Sequence, residues 1–168
     1  YMDVEFNSLP EYVSEQEFVT YFNTFLTEEI YVNGFRILPD DTKPSMALFA
    51  AADYEVKFLE GRIPERLEKK FSTFMNQDTI LVTKKTKKKE VEIDLKPTIL
   101  KYEVKQNGLF LRLISGSSLN IKPQLVIEAL YSFNAEELLP FSYKIHRLEM
   151  YEEKEGKFIT LGGISIDE

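Results

Sequence analysis

Apolar and polar positions along this chain alternate between two periods. Met2, Val4 and Phe6 alternate with acidic residues, as in a half-buried strand. Ser14 and Glu17 have the S-x-x-E spacing of a capping box, and Val13 and Phe18 are placed for the accompanying hydrophobic staple. Phe18, Phe22, Phe25 and Leu26 then recur at helical spacing, which predicts a helix with an aromatic core face. A second strand is expected around Tyr31 to Leu38. Asp40 and Asp41, flanked by Pro39 and Pro44, read as a turn. Ser45 to Ala51 is short and apolar, and Tyr54, Val56 and Phe58 alternate as a strand. Pro64 fits the first turn of a helix. In that helix Ile63, Leu67, Phe71, Phe74 and Met75 form one face, and Glu65, Arg66, Glu68, Lys69 and Lys70 form the other.

The following stretch is β-rich. Thr79 to Lys85 is β-branched and apolar, and Val91, Ile93 and Leu95 alternate with Glu90, Glu92 and Asp94. Leu100, Tyr102 and Val104 form another alternating run. Asn107-Gly108 signals a hairpin of type I′, whose two central residues favour φ > 0. Leu109, Leu111 and Leu113 lie on the return strand. Pro123 opens a helix with Val126, Leu130 and Phe133 on one face, Tyr143 to Tyr151 is a further strand, and GKFITL adds a short one. From Tyr54 the order is β-α-β, an extra hairpin, then β-α-β. That order predicts an α+β protein with a ferredoxin-like βαββαβ core over residues 52–161. Residues 1–44 are expected to form a partial β-α-β unit. A chain that opens directly into a strand-like run is expected to be a fragment of a longer polypeptide.

The length, 168 residues, suits one ordinary domain or two small ones. The absence of cysteine removes disulfides, thiolate nucleophiles and Cys-ligated metal sites, and the single histidine excludes mechanisms that need two imidazoles. No apolar run is long enough to span a bilayer. The expected compartment is therefore the cytoplasm, with no membrane partner. The net charge of −7 gives no global attraction to phosphate.

One segment departs from that balance. From Lys84 to Lys101 seven lysines face Glu90, Glu92 and Asp94, a local balance of +4. Lys84, Lys85, Lys87, Lys88 and Lys89 are candidate contacts for a phosphate backbone or an acidic surface. Against RNA, no aromatic residue lies between Lys84 and Ile99 to stack bases. Charged hairpin tips are also commonly just solvated, and lysine guards exposed strand edges. In YKIHRLEMY the apolar phase is Tyr143 and Ile145 before His146-Arg147, and Leu148 and Met150 after it. Such a flip marks a β-bulge or a strand that changes packing environment. No nucleophile with a partnering base can be assembled. The chain alone is expected to be non-enzymatic, with no cofactor of its own.

MALFAAADYEV, TKKTKKKEVEIDLKP, NGLFLRL and YKIHRLEMY, in that order, resemble the radical-SAM-linked domain of unknown function 2344. Its members carry a basic loop before E-V-D-[IL]-[RK]-P and an [IV]-H-R-[TL]-E strand. These correspond here to Lys84–Lys89, to Glu90–Pro97 and to Ile145–Glu149. Its usual preceding G-F-N-P-H-P-like segment is absent here. Lys96, where D-[IL]-R-P would have arginine, keeps the charge without the bidentate guanidinium geometry. The resemblance implies an accessory or substrate-presenting module for a radical SAM protein, encoded beside it or fused to it, with RNA or a protein as the presented partner. The alternative it implies is a subunit that completes an active site together with a further N-terminal segment or a partner enzyme. In the accessory-module reading, Asp94, Lys96, His146 and Arg147 are expected to form a polar cluster where two strands approach; in the alternative, His146 and Arg147 matter more than the lysines.

Overall fold

Ser14 and Glu17 close the capping box that their spacing predicts. In the computed structural model, which describes residues 1–7, 14–85 and 90–161, the Glu17 N–H donates to Ser14 Oγ at 3.2 Å. The Ser14 N–H returns a bond to Glu17 Oε2 at 3.0 Å. This fixes the start of α1 (Glu15–Asn23). Val13, the expected staple residue, lies outside the described residues. The chain divides into two units, the first comprising Tyr1–Ser45 and the second beginning at Met46.

In the first unit, Phe18 of α1 collects the aromatic rings. Phe35 stacks on it at 4.0 Å, Phe6 meets it edge-on at 5.6 Å, and Phe22 follows at 5.7 Å. Phe25, expected on the same face, lies past the helix end and is 69% exposed. The two flanking strands of the expected β-α-β unit do not form, because neither 2–6 nor 31–38 joins a ladder. The backbone groups are used differently. Asn23 Nδ2 donates to the Val32 carbonyl at 2.9 Å and Asn23 Oδ1 accepts from the Val32 N–H at 2.8 Å. The Ile37 N–H donates to Glu15 Oε1 at 3.3 Å. Alternation set Phe6 and Phe35 on the side that packs against Phe18. Packing of that kind needs the period but no strand partner.

The second unit is α+β. After a short helix α2 (Ser45–Leu48) come β1 (Phe49–Phe58), α3 (Leu67–Met75), β2 (Leu81–Lys85) and β3 (Glu90–Asp94). A 3-10 turn (Lys96–Thr98), β4 (Ile99–Lys105), β5 (Gly108–Ile114), α4 (Pro123–Phe133), β6 (Tyr143–Lys154) and β7 (Lys157–Thr160) follow. Five strands form an antiparallel sheet in the order β4-β5-β1-β6-β7, while among the described residues β2 and β3 pair only with each other. Period-two alternation places Ala52, Tyr54, Val56 and Phe58 of β1 and Leu109, Leu111 and Leu113 of β5 on one face. Phe71 and Phe74 of α3 and Val126, Ile127 and Leu130 of α4 close the core over them. Val82 and Ile93 pack the small hairpin against this core, and Leu95 behind it is fully buried.

Pro123 occupies the first turn of α4, as its spacing predicts. Pro64 does not do the same for α3. That helix starts three residues later, after Arg66 adopts the left-handed conformation with φ 56°. The hairpin at Asn107-Gly108 is also displaced. Lys105 pairs with Gly108, so Gln106 and Asn107 make the two-residue loop, and neither has a positive φ. Gly108 is a strand residue opposite Lys57, and a Cβ there would stand 1.9 Å from the Val56 carbonyl oxygen. Glycine is needed here for close backbone approach and not for turn conformation.

The bulge signalled in YKIHRLEMY lies one residue beyond His146-Arg147. Tyr54 pairs with Arg147 and Asp53 with Glu149, which leaves Leu148 as the extra residue. No helix among the described residues is long and apolar enough to cross a membrane.

Candidate functional site

The anticipated site residues separate into two places. Lys84 lies on β2, and its Nζ donates to the Asn120 carbonyl at 2.6 Å. The backbone of Lys85 pairs with Glu90. Lys87, Lys88 and Lys89 lie outside the described residues, as does the side chain of Lys85. Asp94 Oδ1 accepts the N–H groups of Ile80 at 2.8 Å and Lys96 at 3.0 Å. Lys96 Nζ donates to the Gln77 carbonyl. Both residues therefore tie the segment after α3 to the turn after β3.

His146 and Arg147 are exposed on β6, opposite Glu55 and Tyr54 of β1. No hydrogen bond or ion pair among the described residues joins them to Asp94 or Lys96. The expected four-residue cluster fails because β3 pairs with β2, whereas β6 pairs with β1 and β7. The two strands belong to different sheets.

A different polar cluster forms on the sheet face opposite α3 and α4. Asp53 of β1 pairs in register with Arg112 of β5. Arg112 Nε donates to Asp53 Oδ1 at 2.7 Å, and its Nη2 donates to Oδ2 at 2.9 Å, a bidentate ion pair. Tyr151 of β6 donates its hydroxyl to Asp53 Oδ2 at 2.6 Å and lies under the guanidinium, 4.5 Å from the ring centroid. Asp53 is 6% exposed and Tyr151 2%. Beside them Glu55 takes Lys57 at 2.9 Å and Lys105 at 3.4 Å, and these lysines hold its carboxyl below the usual carboxylate range.

The bulge at Leu148 makes this cluster possible. Without the extra residue, every side chain of β6 beyond Arg147 would change face, and Tyr151 would point toward the helices. Sequence contained only part of this signal: Asp53 in AAADYEV and Arg112 in LFLRLI each occupy the polar phase of an otherwise apolar run. Their register, which makes them partners, belongs to the pairing of β1 with β5, two strands that no turn connects.

Chemically the cluster is closed. Three donors hold the Asp53 carboxylate, and no buried side-chain polar atom among the described residues lacks a partner. No group of three or more His, Asp or Glu side chains among the described residues is arranged to hold a metal. Burial, then the hydrogen bond to Asp53, pushes the Tyr151 phenol well above its ordinary range, and Asp53 raises the Arg112 guanidinium. The fold thus favours the neutral phenol. Its contribution to stability is full below about pH 10, the unfolded phenol value, and is lost as pH rises from there toward the folded value. Unfolding free energy is expected to fall across this alkaline window, with a shallower slope in Tyr151→Phe. Identical slopes in urea unfolding at stepped pH would overturn the assignment.

The family model described as an uncharacterized protein conserved in bacteria (DUF2344) matches residues 1–123. The chain belongs to this family. The match includes the β2–β3 hairpin, the lysine run, Asp53 and Arg112, and it ends at the first residue of α4. His146, Arg147 and Tyr151 lie beyond the matched DUF2344 residues. No curated protein and no solved structure matches the chain.

Proposed function

We propose that this chain is a non-catalytic accessory module that presents a protein partner to a radical SAM enzyme, with the β2–β3 hairpin as its contact arm. The observation that carries this reading is the pairing of β2 and β3 with each other alone. The two strands that flank the lysine run in sequence are therefore not part of the five-stranded sheet. The arm has a fixed base, since Val82 and Ile93 pack on the core and Lys84 is bonded to the Asn120 carbonyl. Its local positive charge stands against an acidic chain, an arrangement that steers an acidic partner and sets orientation.

We also read the main sheet as ferredoxin-like. The order β4-β5-β1-β6, with α3 between β1 and β4 and α4 between β5 and β6, supports two interleaved βαβ units. The second reading, a subunit completing a partner's active site, draws support from His146 and Arg147, which stand exposed beside the bulge.

One titration tests both. Against a radical SAM protein taken as the partner, the triple variant Lys87→Glu, Lys88→Glu, Lys89→Glu is expected to weaken binding roughly tenfold or more and to flatten its salt dependence. An unchanged binding curve overturns the arm. Unchanged binding with turnover lost in His146→Ala favours the active-site reading. The same loss seen only with single-stranded RNA oligomers assigns the arm to phosphate.

A further inference from the structure

Among the described residues, no strand lies beside the inner edge of the hairpin. Ile80, just before β2, directs both its backbone groups toward β3: its N–H donates to Asp94 Oδ1 at 2.8 Å and its carbonyl accepts from the Leu95 N–H at 2.8 Å. Antiparallel alternation then turns the backbone of Val82 and Lys84 toward β3, and that of Leu81, Thr83 and Lys85 away from it. β2 pairs with no other strand, so those outward groups form an open edge.

This edge borders a groove of about 430 Å³, walled by Leu81 and Val82 on one side and by Leu125, Ala129 and Phe133 of α4 on the other. Two of its apolar walls face solvent, Leu81 being 59% and Phe133 42% exposed. Electrostatically the groove has a direction. Glu128 of α4 lines it, while Lys84 lies at the far end of β2 with its Nζ on the Asn120 carbonyl.

We propose that this edge receives an extended peptide of the partner as a third strand, apolar at alternate positions and acidic at the end beside Lys84. Backbone pairing along an edge supplies affinity without regard to sequence, and a groove that takes alternate side chains supplies selectivity. The space suits a few aliphatic side chains. Glu128 repels a carboxylate placed along the groove and Lys84 attracts one at its end, so the acidic residues set the peptide's direction. RNA has no peptide N–H and C=O groups to complete the ladder. The inference deepens the contact-arm reading by naming the partner's chemistry, and it depends on that reading only for the lysine contribution.

The test uses a labelled synthetic peptide of alternating valine and threonine with three aspartates at one end. Its anisotropy is read against the full chain, with amide exchange followed at Leu81 and Thr83. Binding is expected to protect both amides and to fall roughly tenfold or more, a change of about 1.4 kcal/mol, in Ser132→Arg, an exposed position on α4 lining the groove. N-methylation at alternate peptide residues is expected to abolish binding. Loss of binding in Ser132→Arg with no effect of the lysine triple variant keeps the groove and removes the lysine arm. No binding, or binding indifferent to both N-methylation and Ser132→Arg, overturns the groove. If Ser132→Arg fails to fold, the N-methylated peptide and the exchange pattern on the unaltered chain decide alone.

Discussion

Asp53→Ala is expected to lower the unfolding free energy by about 3–5 kcal/mol, the usual consequence of removing one partner of a buried ion pair. The loss is large because of what remains. Arg112, whose side chain is 14% exposed, would keep its charge without the bidentate carboxylate, and the Tyr151 hydroxyl would lose its 2.6 Å acceptor. Urea unfolding followed by tyrosine fluorescence measures this directly, since the chain has no tryptophan. The double variant Asp53→Ala, Arg112→Leu is expected to recover a good part of the loss, because no unpaired charge is left. By contrast Lys57→Ala, which removes a partner 56% exposed in its side chain, is expected to change little. A cost below about 1 kcal/mol for Asp53→Ala would mean that water replaces the carboxylate freely and that the cluster is not desolvated.

Gly108→Ala is expected to cost about 3 kcal/mol or more, at the upper end of overpacking effects. The new Cβ would meet the Val56 carbonyl oxygen at 1.9 Å, the Val56 carbonyl carbon at 3.0 Å and Lys57 Cα at 3.2 Å. All three are backbone atoms of the central strand, so no rotamer change relieves the contact. Relief requires β5 to move from β1, which would also disturb the Asp53–Arg112 register. Gly61→Ala is the comparison. Gly61 has φ 69° with nothing within 4 Å of its Cβ position, so only the left-handed penalty of about 1–2 kcal/mol applies. Equal costs at the two positions would show that conformation, and not close approach, is the requirement at Gly108.

These two cases divide what residues reveal locally from what they reveal only in contact. The capping box at Ser14 and Glu17 was legible because its partners are three residues apart and bond only within one turn. Pro123 at the start of α4 and the apolar face of α3 were legible for the same reason. Asn107-Gly108 signals a hairpin, but the glycine serves another purpose: the Asn-Gly pair reports a turn, whereas the structure needs room for a neighbouring strand. The segments 2–6 and 31–38 show how alternation misleads. The period is real, and Phe6 and Phe35 use it to pack on Phe18, yet a strand also needs a ladder partner.

By itself, the sequence determined the α+β character, the starts of α1 and α4, the order of strands along the second unit and the apolar phase of β1 and β5, because these follow from periods of a few residues. It also marked the phase flip after Ile145. Only the tertiary structure decided that β2 and β3 stand apart from the five-stranded sheet, which separates Asp94 and Lys96 from His146 and Arg147. Only the structure decided that the extra residue is Leu148, which turns Tyr151 toward Asp53 and Arg112 across three strands. The physical reason is register. A side chain's face depends on its own strand, but its partner depends on how two distant strands are aligned, and a one-residue slip reverses every contact.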